Sequence, residues 1–204
     1  MEKGNILTIN INDTNIKKYI KNTKKLIKYC DKNDLLLKIV YDDIILDEKK
    51  LLEDISTDLR DIITIMIAIN KKDKYERNEY IYDTVCRYLD SKIQDDYCMF
   101  KNDMCIRDRL KNNNHKNGCC ECIGRGKCKY LKDSKCTLEN CMACKLFTCH
   151  TLKKLGFTQN INDFVLTKYF FDKKEKDILQ FSFWTPKDVV LDRLIKKEYV
   201  SSFK

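Results

Sequence analysis

The sequence predicts a mainly α fold, in which a helical body carries an irregular, hairpin-containing, cysteine-rich module. Three observations predict it. Apolar residues recur at helical spacing on both sides of the chain's middle, no proline and only Gly4 interrupt residues 1–100, and ten of the 12 cysteines fall within residues 98–149. The organisation that follows is an N-terminal helical region (1–97), the cysteine module (98–154) and a C-terminal helical region (155–204) that packs on the N-terminal body.

Taken in order, residues 16–29 form a helix with a lysine-rich outer face. The run Leu35 to Leu46, LLLKIVYDDIIL, fits a buried strand or a helix equally well, being short, apolar and β-branched. From Leu51, the positions Ile55, Leu59, Ile62, Met66 and Ile69 step by four and three along one helical face, and Ile81, Val85, Leu89 and Ile93 make a second such face. In WTPKDVVLDRLIKKEYV, Thr185 reads as a cap, Pro186 as the first turn and Asp188 as the capping-box acid, with Lys196 and Lys197 near the end. The aromatics before it, Phe164, Tyr169, Phe170, Phe171, Phe181, Phe183 and Trp184, are expected to close the core over the N-terminal helices.

A chain of 204 residues has room for one main core. No apolar run approaches the roughly 20 residues of a membrane span and none follows a basic start, so a cytoplasmic protein without a membrane partner is expected. In a reducing compartment clustered cysteines suit a metal better than a disulfide framework. Cys30 and Cys86 stand apart from the cluster and read as small buried apolar groups.

The candidate metal ligands are Cys98, Cys105, Cys119, Cys120, Cys122, Cys128, Cys136, Cys141, Cys144 and Cys149. The segment contains an internal echo: CMFKNDMC and CKYLKDSKC share a cysteine, an aromatic, a lysine, a two-residue turn signal and a closing cysteine. Each reads as a tight hairpin, because Asn, Asp and Ser tolerate turn geometry and a turn returns the flanking thiols towards each other. Tetrahedral zinc needs four donors at about 2.3 Å, and local pairs are the simplest way to gather them. Cys119-Cys120-x-Cys122 and Cys141-x-x-Cys144 supply two more such pairs, while Gly118, Gly124 and Gly126 let the backbone bend around a ligand. Eight thiolates would complete two sites and leave two of the ten over.

The stretch CKYLKDSKCTLENCMACKLFTC resembles the bacterial cysteine-cluster proteins described as zinc- or iron-chelating. Cys128, Tyr130, Leu131, Cys136, Cys144, Lys145, Phe147 and Cys149 fit the later part of that pattern. At its start the doubled Cys119-Cys120 precedes Cys122, and the Arg-Pro before the final cysteines is absent. The resemblance implies metal chelation, by zinc or an iron–sulfur cluster. Some larger enzymes that methylate flagellin lysines are similar in carrying such a cluster, which keeps an enzymatic relative in view.

Zinc is the expected cofactor and an iron–sulfur cluster the alternative, since both accept four thiolates. His115 and His150 flank the module and read as solvated side chains. Other catalytic chemistry is poorly represented: GRG lacks the Lys-Ser/Thr of a phosphate cradle, and Cys149 and His150, being adjacent, point apart. The acidic pairs Asp42-Asp43 and Asp95-Asp96 read as turns or helix ends. A binding or regulatory role is therefore expected over an enzymatic one, with a protein partner as one option and nothing in the sequence that identifies the partner. Residues 101–154 hold 13 basic and 5 acidic groups, a net +8 of the chain's +9. That suggests nucleic acid, but eight thiolates with two zinc ions would bring +8 to about +4. At most weak, salt-dependent nucleic-acid binding is expected.

Overall fold

The computed structural model describes residues 5–92, 100–101, 104–105, 130–132, 135–136, 141–148, 150–154, 156 and 158–198. The fold is mainly α, with nine α-helices among the described residues. Two compact units form, one from Met1–Tyr82 with Asn162–Lys176 and the other from Asp83–Ile161 with Asp177–Lys204.

The first unit contains a small three-stranded sheet, whose first strand corrects the expectation of a helical N-terminal region in which only the run at Leu35 to Leu46 is open to a strand. Strand β1 (Ile6–Ile11) alternates along ILTINI, with Ile9 and Ile11 buried and Ile6, Thr8 and Asn10 outward. It pairs in parallel with β2 (Leu36–Tyr41), from Ile6 opposite Leu36 to Ile11 opposite Tyr41. Parallel strands need a long crossover, supplied here by α1 (Ile16–Lys21) and α2 (Thr23–Lys32). The ambiguous run at Leu35 to Leu46 thus resolves as strand. It turns back at Asp42 and Asp43 into β3 (Ile44–Ile45). Both aspartates have positive φ, +42° and +67°, the pair of left-handed conformations that a two-residue hairpin turn requires.

Two helix boundaries also differ from expectation. The helix at 16–29 breaks at Asn22, whose Nδ2 donates to the Lys18 carbonyl (2.8 Å) while Thr23 Oγ1 donates to that of Ile20 (2.7 Å). Side chains that bond the preceding turn compete with continuation of the helix. The helix read from Leu51 begins at Thr57, as α3 (Thr57–Asn70), capped by Ser56 Oγ on the Leu59 N–H. Asp47 instead caps a separate 3₁₀ turn, Glu48–Leu52. Within α3 the expected Ile62, Met66 and Ile69 are buried, and so are Ile63, Ile65 and Ala68. The burial extends around the helix because β2, α1, α2 and α7 (Val165–Phe170) all pack on it.

Asn70, at the end of α3, completes the sheet. Its Oδ1 accepts from the Leu37 N–H at 2.7 Å and its Nδ2 donates to the Leu37 carbonyl at 2.8 Å, so one side chain imitates a neighbouring strand. Leu37 is buried, and without Asn70 both backbone groups lose these partners. Asn70→Ala is expected to cost about 1–3 kcal/mol per unpaired group, read as a lower urea midpoint.

The second unit gathers the end of α4 (Lys74–Lys92), the cysteine segment and the C-terminal helices. Val85, Cys86 and Leu89 of α4 are buried, as are Ile178 and Leu179 of α8 (Lys173–Phe181) and Val190, Leu191 and Leu194 of α9 (Lys187–Lys196). Ile93 and the pair Asp95-Asp96 lie outside the described residues. Lys187 pairs with Asp83 at 2.8 Å. Pro186, not Thr185, takes the cap position of α9, and the Thr185 hydroxyl donates to the Phe183 carbonyl at 3.2 Å. The aromatic reading holds in part: α7, which carries Tyr169 and Phe170, packs on α2 and α3, but of the seven residues only Phe171 is buried, and Phe183 instead meets Phe147 of the cysteine segment edge to face, with centroids 6.3 Å apart. No helix among the described residues is long and apolar enough to cross a membrane.

Candidate metal centre

Both expected hairpins form. Strand β4 (Phe100–Lys101) pairs antiparallel with β5 (Met104–Cys105), and β6 (Leu131–Lys132) with β7 (Lys135–Cys136). Cys105 sits opposite Phe100 and Cys136 opposite Leu131, so each closing cysteine occupies the same place in its hairpin. The two-residue connections account for this: Lys101 faces Met104 and Lys132 faces Lys135. Cys98, Cys119, Cys120, Cys122, Cys128 and Cys149 lie outside the described residues, together with His115, Gly118, Gly124 and Gly126. His150 begins α6 (His150–Lys154).

Cys141 and Cys144 are the candidate ligands whose side chains are described, and the structure brings them together. Cys141 is the cap residue of α5 (Met142–Leu146) and Cys144 lies one turn on, which places both on one side of the helix. The first unit's spare thiol, Cys30, and Cys86 of α4 behave differently. Both are wholly buried, and burial pushes both thiols up, Cys86 to about 12. They are neutral and inert at physiological pH, as expected for small core groups.

Cys141 is equally buried, at 2 % exposure, yet its pKa falls to about 6. The largest cause is a hydrogen bond from the Cys144 side chain, and the backbone N–H groups of Cys144, Trp184 and Thr185 add to it against the opposing effect of burial. The Ser182 carbonyl, 3.7 Å from Sγ, would accept a proton from the thiol form. One acceptor against four donors leaves the thiolate favoured. The donors from the far end of the chain depend on an unusual backbone: Trp184 has φ +56°, left-handed for a bulky residue, and this aims its own N–H and the next at one sulfur.

The residues around the pair are held by packing. Lys145 of α5 forms an ion pair with Asp90 of α4, and Phe147 packs on Phe183, whose ring in turn lies 5.7 Å from that of Trp184. The Cys-Lys-x-Phe run thus spends its lysine and phenylalanine on fixing the helix that presents the thiols. The Trp184 and Thr185 amides are the site groups that sequence reasoning missed. No local signal marks them, since a backbone N–H carries no residue identity.

Chemically, a buried thiolate with a second thiol one turn away suits a thiophilic metal such as zinc, and the ionised ligand binds without first losing a proton. Among the described residues no three His, Cys, Asp or Glu side chains converge on one point. Compared with protein-family models, curated proteins and solved structures, the chain matches none.

Proposed function

We propose that the chain is a metal-binding cysteine-cluster protein in which thiolates hold zinc in a structural role, serving a binding or regulatory protein. The observation that supports it is the Cys141–Cys144 pair, where four hydrogen-bond donors keep one buried sulfur ionised while the isolated Cys30 and Cys86 stay protonated. Cys141 and Cys144 would supply two ligands, and the closing cysteines of the two hairpins, Cys105 and Cys136, are the next candidates from the ten. Zinc, when bound, contributes cross-linking free energy, about 10–16 kcal/mol in small zinc modules, enough to fold a segment with little apolar core of its own.

Elemental analysis with a visible spectrum, on protein purified without air, tests the reading. Stoichiometric zinc and a colourless solution are expected. A brown, iron-containing protein would replace zinc with an iron–sulfur cluster, and metal-free, fully folded protein would overturn the proposal.

The net +8 of residues 101–154 is assigned mainly to offsetting thiolate charge. Binding to duplex or single-stranded DNA is expected to be weak and to fall steeply with salt. Titration of the metal-loaded protein at two salt concentrations checks this, and tight binding at near-physiological salt would make nucleic acid the primary partner.

A further inference from the structure

The two edges of the sheet in the first unit are built differently. β3, at one edge, is two residues long and is followed closely by the charged run Asp47 to Lys50. Short edge strands and nearby charges are the usual guards against pairing with another chain. β1, at the other edge, is six residues long, and residues 5–12, NILTININ, contain neither a charge nor a proline.

Two hydrogen bonds show which backbone groups β1 commits to β2. The Leu36 N–H donates to the Asn5 carbonyl at 2.9 Å, and the Asp42 N–H donates to that of Ile11 at 3.3 Å. Alternate residues of a strand serve the same neighbour, so Asn5, Leu7, Ile9 and Ile11 face β2, and the N–H and C=O groups of Ile6, Thr8 and Asn10 point away from it. Among the described residues these outward groups have one partner, Asn15 Nδ2, which donates to the Asn10 carbonyl at 3.5 Å and leaves that oxygen a second lone pair. Ile6 is 61 % exposed, and Thr8 and Asn10 are exposed as well. On the core side of the strand Ile9 and Ile11 are buried, whereas Leu7 is only half-buried.

We propose that β1 is a dimerisation edge, pairing antiparallel with β1 of a second copy of this chain about a two-fold axis at Thr8. Thr8 then lies opposite Thr8 of the second copy, Ile6 opposite its Asn10, and Leu7 opposite its Ile9. The outward N–H groups of each copy meet the outward carbonyls of the other, because hydrogen-bonded pairs recur at every second residue of an antiparallel ladder. Leu7 gains an apolar neighbour that continues the core side across the junction, and a Thr–Thr pair is a favourable cross-strand match. A second copy suits this edge because one register satisfies both strands at once, and an uncharged strand brings no like charges together when it meets itself. The pairing draws on no cysteine and stands apart from the metal reading.

The test is the mass of the full chain in solution, measured by light scattering and by sedimentation, with reductant present to prevent disulfide cross-links. A dimer is expected at about 100 µM chain. Thr8→Lys places like charges opposite each other at the axis and should weaken dimerisation at least about tenfold, and Thr8→Glu should do the same. An equimolar mixture of those two variants should form a dimer again, since Lys then faces Glu. Thr8→Val keeps a β-branched, uncharged residue and should dimerise like the parent. The Thr8 side chain is exposed and its backbone is not used by β2, so all three variants should keep the parent's circular dichroism spectrum. A parent that is monomeric at about 100 µM overturns the proposal, whatever other protein it retains. So does a Thr8→Lys dimer as tight as the parent's, or a mixture of folded Lys and Glu variants that stays monomeric.

Discussion

Cys144→Ser protein purified without air is expected to carry less metal than the parent and to melt at a markedly lower temperature. A serine hydroxyl does not ionise near neutral pH and cannot replace a thiolate ligand, even though its O–H is still a donor that can serve the Cys141 sulfur as the Cys144 side chain does. If a zinc site is lost, the destabilisation runs to several kcal/mol, since structural zinc contributes about 10–16 kcal/mol in small modules. Cys136→Ser is expected to behave in the same direction. Cys30→Ser is the control. Cys30 is completely buried, so a serine there also costs stability, and metal content separates the two cases where melting temperature cannot. Elemental analysis should show loss in the first two proteins and none in the third; equal loss in all three would mean that the ligands do not lie in the cysteine segment.

The second large effect concerns α3. Ile65 is fully buried, in a helix enclosed by β2, α1, α2 and α7, so Ile65→Ala should leave a cavity and cost about 2–5 kcal/mol. Leu52, 90 % exposed just before that helix, provides the comparison, with a change within about 0.5 kcal/mol on replacement by alanine. Urea unfolding of the two variants checks the pair. An Ile65→Ala midpoint no lower than that of Leu52→Ala would remove α3 from the centre of the first unit.

The repeated hairpin pattern was readable because turn chemistry is local: a two-residue tip of Asn, Asp or Ser between short apolar and charged pairs leaves few alternatives. The faces of α3 and α4 were readable for the same reason, their period spanning several turns. β1 was missed although Leu7, Ile9 and Ile11 alternate, because six residues are too few to separate strand from helix by periodicity alone. The break at Asn22 depended on which side chain took which carbonyl, and the cap of α9 on a Thr185 hydroxyl that bonds backward to Phe183. Such choices cost little either way, so neighbouring packing decides them.

By itself the sequence determined the mainly helical class, the hairpins that end at Cys105 and Cys136, the helical-turn spacing of Cys141 and Cys144, and the separateness of Cys30 and Cys86. Only the tertiary structure decided that three thiols buried to a similar degree differ in charge. Cys86 is pushed to about 12 and Cys141 drawn to about 6, because the thiolate of Cys141 alone receives hydrogen bonds from Cys144 and from the amides of Trp184 and Thr185. Spacing along the chain can pair two cysteines, but the ionisation of a buried sulfur depends on the donors that folding brings around it.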